Sequence, residues 1–232
     1  LKIKSIILEI KFICLSKVLI DSISNKFKRN NLKVLNLYCS SYVKSFYYLK
    51  KFDKKDFIIF IDIGFERTSS LAFNNHGFDF YKSISFGGNT VTKDISKVLK
   101  LNLDFSEDLK VQFNKQENNI PFNRISDNYS SQHSEILENN ISSDLLKKTI
   151  EARIDEIFEL VIFQSDYFKY LNKSEKPKLV ITGGGSRLLS NNYNLSIKNS
   201  ISDLIIFNKN NSQVCEAGIY YQKSYESSLS RV

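Results

Sequence analysis

The run "FIIFIDIG", residues 57–64, constrains the fold of this chain more than any other stretch. It is the most hydrophobic segment of the sequence, follows the charged break "KKFDKKD", and reads as a strand that ends in an aspartate and a glycine. The hydroxyl-rich "TSSLAFNN" comes next, and then the turn Asn75-His76-Gly77 leads into "FDFYKSIS". Asparagine and glycine between β-rich segments signal a hairpin. At Asp62 and Gly64 two readings compete: a tight hairpin, or a strand that turns over to hold a phosphate.

The rest of the chain alternates in period. "SIILEIKFICL" and "LKVLNLYC" read as strands, with "SKVLIDSISNKFKRNN" between them as an amphipathic helix carrying Val18, Leu19, Ile23 and Phe27 on one face. Further helices are expected over Tyr42–Leu49, Thr92–Leu101 and Phe105–Phe113. Residues 116–143 are polar, rich in Asn and Ser, and without a sustained period. A long helix is expected from Asp144 to Leu171, because Leu146, Ile150, Ile154, Ile157, Phe158, Val161 and Ile162 recur at helical spacing. Pro177 introduces the buried strand "KLVIT", followed by "GGGSR", a helix through Leu195 and Ile197, the strand "DLIIF" and a closing helix "VCEAGIYYQKS". Strands alternating with helices indicate an α/β domain. The expected sheet contains 57–63, 67–74, 78–84, 178–182 and 204–207.

Composition narrows the function classes. With 42% hydrophobic and 25% charged residues, the 232-residue chain is globular and long enough for one or two domains. A net charge of +8 raises nucleic acid or an anionic membrane as partners. The lysines are scattered among abundant Asn and Ile, however, so no nucleic-acid partner is expected. Cys14, Cys39 and Cys215 form neither a metal pattern nor a disulfide framework, which fits a reducing compartment. No stretch approaches the roughly eighteen consecutive apolar residues of a membrane helix. The sequence has no methionine and begins with Leu1, from which a missing N-terminus is expected.

The candidate chemistry sits at two strand ends about 120 residues apart. One offers Asp62, Gly64, Thr68 and Ser69; the other offers Gly183, Gly184 and Gly185. Glycines after a buried strand let the backbone approach a ligand, and amides at a helix start face an anion. A nucleotide held between such turns uses one for phosphate and metal and the other for ribose and base. In that arrangement Asp62 binds Mg²⁺ through water, since magnesium keeps most of its hydration shell. Thr68 and Ser69 donate to phosphate oxygens. A pair of plain tight turns is the alternative. His76 and His133 are isolated, and the pairs Tyr47-Tyr48 and Tyr220-Tyr221 read as core or boundary residues.

In order, "DIG…TSS", "GGNTVTKDISKVL", "EDLK", "IEARIDEIFELV" and "VITGGGSRL" resemble the bacterial cell-division protein family FtsA. That family belongs to the superfamily of actin, sugar kinases and heat-shock chaperones. The resemblance runs from about residue 4 to 224, and "GGNTVTKDIS" and "IEARIDEIFELV" carry most of its specificity. It implies an actin-like ATPase fold, a ribonuclease H-like mixed sheet with flanking helices. It also implies a smaller inserted α+β subdomain, with residues 1–50 closing the first actin-like half, 51–232 forming the second, and 111–177 spanning the insertion and its connecting helix. The implied function is a scaffold that binds ATP with Mg²⁺, self-associates into filaments, receives the C-terminal tail of the tubulin-like FtsZ, and tethers it at the cytoplasmic face of the inner membrane. At most a weak ATPase is expected.

By the same resemblance, Asp62 and Gly64 fall in the second phosphate motif, Gly183, Gly184 and Gly185 in the adenosine motif, and Glu107 and Lys110 beside the ribose and adenine. The FtsZ tail would meet Arg153, Lys147 and Lys148, whose alternative is a set of surface ion pairs. Phe65 and Glu66 stand where relatives carry glycine, and Arg67 where they carry threonine, which weakens the expected phosphate grip. The family's first phosphate motif and terminal amphipathic helix have no counterpart in the sequence, so weak ATP binding by this chain alone is expected. Two rivals remain at this point: a pilus-assembly protein of the same fold, and a sugar-kinase-like enzyme. The enzyme would need a general base aimed at a substrate hydroxyl, and Asp62 is its sole candidate.

Overall fold

The computed structural model describes residues 10–75, 77–113, 143–165, 168, 176–189, 201–207 and 213–229. Five strands form one mixed sheet in the order β3-β2-β1-β4-β5. They are β1 (Ile58–Ile63), β2 (Thr68–Asn74), β3 (Gly77–Ile84), β4 (Lys178–Thr182) and β5 (Asp203–Ile206). β1, β2 and β3 run antiparallel as a meander, whereas β4 joins β1 in parallel and β5 joins β4 in parallel. Every expected sheet strand is present, within a residue or two of its expected bounds. The β2–β3 hairpin turns where Asn75 takes φ +49°, the left-handed conformation that asparagine tolerates.

β1 is buried along its whole length, and its alternation feeds two cores. Ile59, Ile61 and Ile63 face a layer built from α3 (Gly88–Leu99), α4 (Leu103–Phe113) and α5 (Ser143–Phe158). Ile58 and Phe60 face α2 (Ser40–Leu49), together with Leu71, Phe73 and Val180. On that side α2 packs against the closing helix α6 (Gln213–Leu229) through Phe46 and Tyr47 on one side and Tyr220 and Tyr221 on the other. These tyrosine pairs are core and boundary residues, as the sequence implies.

Some expectations shift. The long helix ends early: after Phe158 one π-type turn, Glu159–Phe163, closes with Gln164 N–H bonded to the Glu159 carbonyl. α5 buries Leu146, Ile150, Ile154 and Phe158 in the same core as β1 and β4. α3 starts four residues before Thr92, since the Gly88 and Asn89 amides already bond to the Gly64 and Phe65 carbonyls of the turn after β1.

The first fifty residues depart most. α1 (Lys17–Arg29) forms, but it buries no residue, and Val18, Leu19 and Phe27 are exposed. Residues 10–15 and 32–39 form no strand, because neither segment finds a ladder partner among the described residues. The remaining expectations, on 1–9, His76, 114–142 (which includes His133) and 190–200, lie outside the described residues. No described helix is long and apolar enough to cross a membrane.

Candidate functional site

Both glycine turns reach the same edge of the sheet, because β1 and β4 are adjacent and parallel with Asp62 paired to Thr182. A cavity of about 350 Å³ opens there, lined by Gly64, Phe65, Gly88, Glu107, Lys110, Val111, Gly184, Gly185, Arg187 and Leu188. The fold therefore brings Gly64, Glu107, Lys110, Gly184 and Gly185 together around one space. Phe65, Gly88, Val111 and Arg187 line it as well.

The turn after β1 is held by backbone hydrogen bonds. Gly64 N–H bonds back to the Arg67 carbonyl at 2.9 Å, and α3 clips the turn from outside. Gly88 N–H donates to the Gly64 carbonyl at 2.9 Å and Asn89 N–H to the Phe65 carbonyl at 2.7 Å. The Asn89 amide also donates to Glu66 Oε1 at 2.7 Å, which occupies that carboxylate. Only glycine fits at 87, since a Cβ there would lie 2.6 Å from both the Gly64 and Phe65 carbonyl oxygens. This clip is the physical content of "GGN" in the motif read from the sequence.

One wall is polar. Lys110 is buried, and its ammonium donates to the Gly88 carbonyl at 3.0 Å, Thr92 Oγ1 at 2.8 Å and Glu107 Oε2 at 2.6 Å. The Lys110 ammonium also sits 5.7 Å from the Phe65 ring centroid, within cation–π range. On the opposite side, Gly183 adopts φ +94° and ψ 172°, a region open essentially to glycine alone. Its backbone lies against the Ile63 carbonyl, so no side chain fits there.

Not every expected ligand faces the cavity. Thr68 Oγ1 donates to the Phe86 carbonyl at 2.7 Å, and Ser69 Oγ lies 3.4 Å from both Ser83 Oγ and Tyr81 Oη. Both hydroxyls are buried in internal contacts. Asp62 points toward α2, the same way as Phe60. There Ser41 Oγ donates to Oδ2 at 2.8 Å and the Lys44 ammonium to Oδ1 at 2.5 Å. The carboxylate expected to hold magnesium through water is thus already neutralised by a protein cation, so the residues present do not fit a metal there. Nothing in the local sequence signals this, because Lys44 lies eighteen residues upstream on another element. Among the described residues no group of three or more His, Cys, Asp or Glu could hold a metal ion.

The residues expected at the partner groove are also engaged. Arg153 grips Asp94 of α3 through Nε at 2.5 Å and Nη2 at 3.0 Å, and it also pairs with Glu156. Its guanidinium is held more strongly protonated than usual by the bond to Asp94. Lys148 pairs with Asp144 at 2.7 Å, and Lys147 approaches Glu151 at 3.9 Å. A shallow groove between α3 and α5 runs past Arg153 and Lys148, with Val98, Leu145 and Ala152 in its floor.

A family model described as cell division protein FtsA matches residues 59–213. The chain belongs to the FtsA family. It is 32% identical over 150 residues to the cell division protein FtsA of Neisseria meningitidis serogroup B, a match covering 59% of this chain and 33% of that protein. The matched stretch thus spans about a third of the curated relative's length. Among solved structures, MreB5 of Spiroplasma citri bound to AMPPNP aligns with TM-score 0.65 at 16% identity, over 94% of this chain and 68% of that one. The PilM-PilN type IV pilus biogenesis complex aligns with TM-score 0.56 at 14% identity, over 86% of this chain and 53% of that one. At such identities these structures establish the actin-like fold alone. The family match separates this chain from the pilus and sugar-kinase alternatives, and makes it a cell-division protein of actin-like fold.

Proposed function

We propose that this chain is the nucleotide-gripping half of an FtsA scaffold, which takes ATP in the cavity between the Gly64 and Gly184 turns. The observation that carries this reading is the convergence of those turns, 120 residues apart in sequence, on one cavity walled by Lys110 and Glu107. The exposed backbone at Gly184 lets an adenosine lie flat, with no atom within 4 Å of the place a Cβ would take. Val111 and Leu188 supply apolar contact for a base, while Lys110 and Arg187 supply positive charge. MreB5, which shares the fold, is bound to AMPPNP, and this supports a nucleotide as the ligand.

In this reading nucleotide is a conformational ligand and fast turnover is not needed. The scaffold self-associates into filaments, binds the C-terminal tail of FtsZ, and links it to the cytoplasmic face of the inner membrane at the septum. The tail is received along the α3–α5 groove, where Arg153 exchanges Asp94 for a carboxylate of the incoming peptide. Two titrations test this. Labelled ATP binds wild type at micromolar to millimolar concentration, and Gly184→Glu abolishes binding by filling the cavity; unchanged affinity in that variant places the site elsewhere. A labelled FtsZ tail peptide binds wild type and loses affinity in Arg153→Glu. Unchanged affinity removes Arg153 from the site, and no binding to wild type removes FtsZ as a partner of this chain.

A further inference from the structure

Asp62 stands at the junction of the two turns: its Oδ1 lies 2.7 Å from where a side chain on Gly183 would begin. The same oxygen accepts the Lys44 ammonium at 2.5 Å, and both side chains are nearly buried, 12% and 9% exposed. Ser41, one helical turn before Lys44 on α2, occupies the other oxygen at 2.8 Å. A hydrated divalent ion at this carboxylate would have to displace a bonded ammonium or share an oxygen with it, and each is opposed by charge repulsion. We propose that Lys44 is a built-in cation that takes the place of magnesium at Asp62, so that this chain holds its anionic ligand without a divalent metal.

Chemically, one positive charge on a tether replaces two on a mobile ion. The carboxylate is neutralised and fixed without a metal. The ammonium is held on Asp62 at the end of β1, on the side that faces α2. A buried pair of this kind is also intolerant of half-removal, since either partner alone is an uncompensated buried charge. That intolerance makes the proposal measurable. The part that concerns ligand binding rests on the nucleotide reading above; the part that concerns metal does not.

The test uses melting temperature with MgCl₂ or MnCl₂, against NaCl of matched ionic strength, for wild type, Lys44→Ser, Lys44→Arg and Asp62→Asn/Lys44→Ser. Wild type and Lys44→Arg should show no divalent-specific shift. Lys44→Ser should melt lower in chelator and recover by about 5 °C at saturating Mn²⁺, and the double variant should recover nothing. A divalent-specific rise in wild type, or none in folded Lys44→Ser, overturns the proposal. Should Lys44→Ser fail to fold, manganese resonance on wild type decides, and Mn²⁺ bound there but lost in Asp62→Asn overturns it. The second arm measures labelled-ATP affinity of wild type in Mg²⁺ and in chelator. Equal affinity within about twofold is expected, and a tenfold loss in chelator, about 1.4 kcal/mol, overturns it. No ATP binding in either buffer defeats the nucleotide reading while the metal arm still stands or falls by itself.

Discussion

The three consecutive glycines after β4 look alike in sequence but differ sharply in structure, so alanine substitutions should separate them. At Gly183, φ +94° with ψ 172° lies in the region reserved for glycine, and holding alanine there costs roughly 1–3 kcal/mol. The new Cβ would also collide with the Ile63 carbonyl oxygen, and relieving that by backbone movement costs about another 1–3 kcal/mol. Gly183→Ala should therefore lose about 2–6 kcal/mol, a large share of the roughly 5–15 kcal/mol that holds a domain folded. Gly185 needs no special backbone, but its Cβ would meet Ile63 Cγ2 in a fully buried side chain, so overpacking alone sets a loss of about 1–3 kcal/mol. At Gly184 no atom lies within 4 Å of a Cβ, and alanine should change stability by less than about 0.5 kcal/mol. Urea unfolding followed by circular dichroism and tyrosine fluorescence measures all three, because the chain has no tryptophan. The order 183, then 185, then 184 is expected at constant m. A Gly183→Ala protein as stable as wild type, or a Gly184→Ala protein as damaged as Gly183→Ala, would refute the reasoning.

Three further outcomes follow from the same contacts. Lys110→Met strips three acceptors of a charged donor inside the cavity wall and should cost about 2–3 kcal/mol in urea unfolding; a loss below about 0.5 kcal/mol would mean that the wall relaxes without it. Arg153→Ala breaks a two-pronged contact that is only partly buried, and should cost about 1 kcal/mol at low salt and less at high salt. Burial, with Tyr221 beside it, pushes the Tyr42 hydroxyl up to about 12, above the unfolded value near 10. Its folded-state preference for the neutral form is fully present below pH 10 and is lost as pH rises from about 10 to about 12. The wild-type urea midpoint should fall across that window, and the fall should be smaller in Tyr42→Phe.

The sheet was legible because each strand carries its own local signal. "FIIFIDI" and "KLVIT" are short apolar runs bounded by breakers, and Asn75 and Gly77 mark the hairpin whatever packs on it. The helices were legible as elements but not at their ends. α3 starts at Gly88 because its first amides bond to carbonyls of the turn after β1, a contact across more than twenty residues that no window of sequence contains. The segments 10–15 and 32–39 fail in the opposite way. They have strand-like composition, but a strand exists only where a neighbour completes its ladder, and composition is silent on neighbours.

The same distinction governs the site. Glycines advertise themselves because their role is backbone clearance, which is local, and so Gly64, Gly184 and Gly185 fall where the sequence places them around the cavity. Side-chain ligands do not, because what an oxygen binds depends on everything that reaches it. Thr68 is a hydroxyl at the expected distance from Asp62, yet its proton goes to the Phe86 carbonyl supplied by the loop before α3. Asp62 stands where the sequence places an acid, at the end of β1, but its chemistry is set by α2, where helical spacing puts Ser41 and Lys44 on the face turned to β1. A motif thus specifies which atoms stand at a site, while the atoms opposite decide whether they are available. In this chain the acid at the end of β1 is already engaged by Ser41 and Lys44, so its availability is decided on α2 rather than in the strand that carries it.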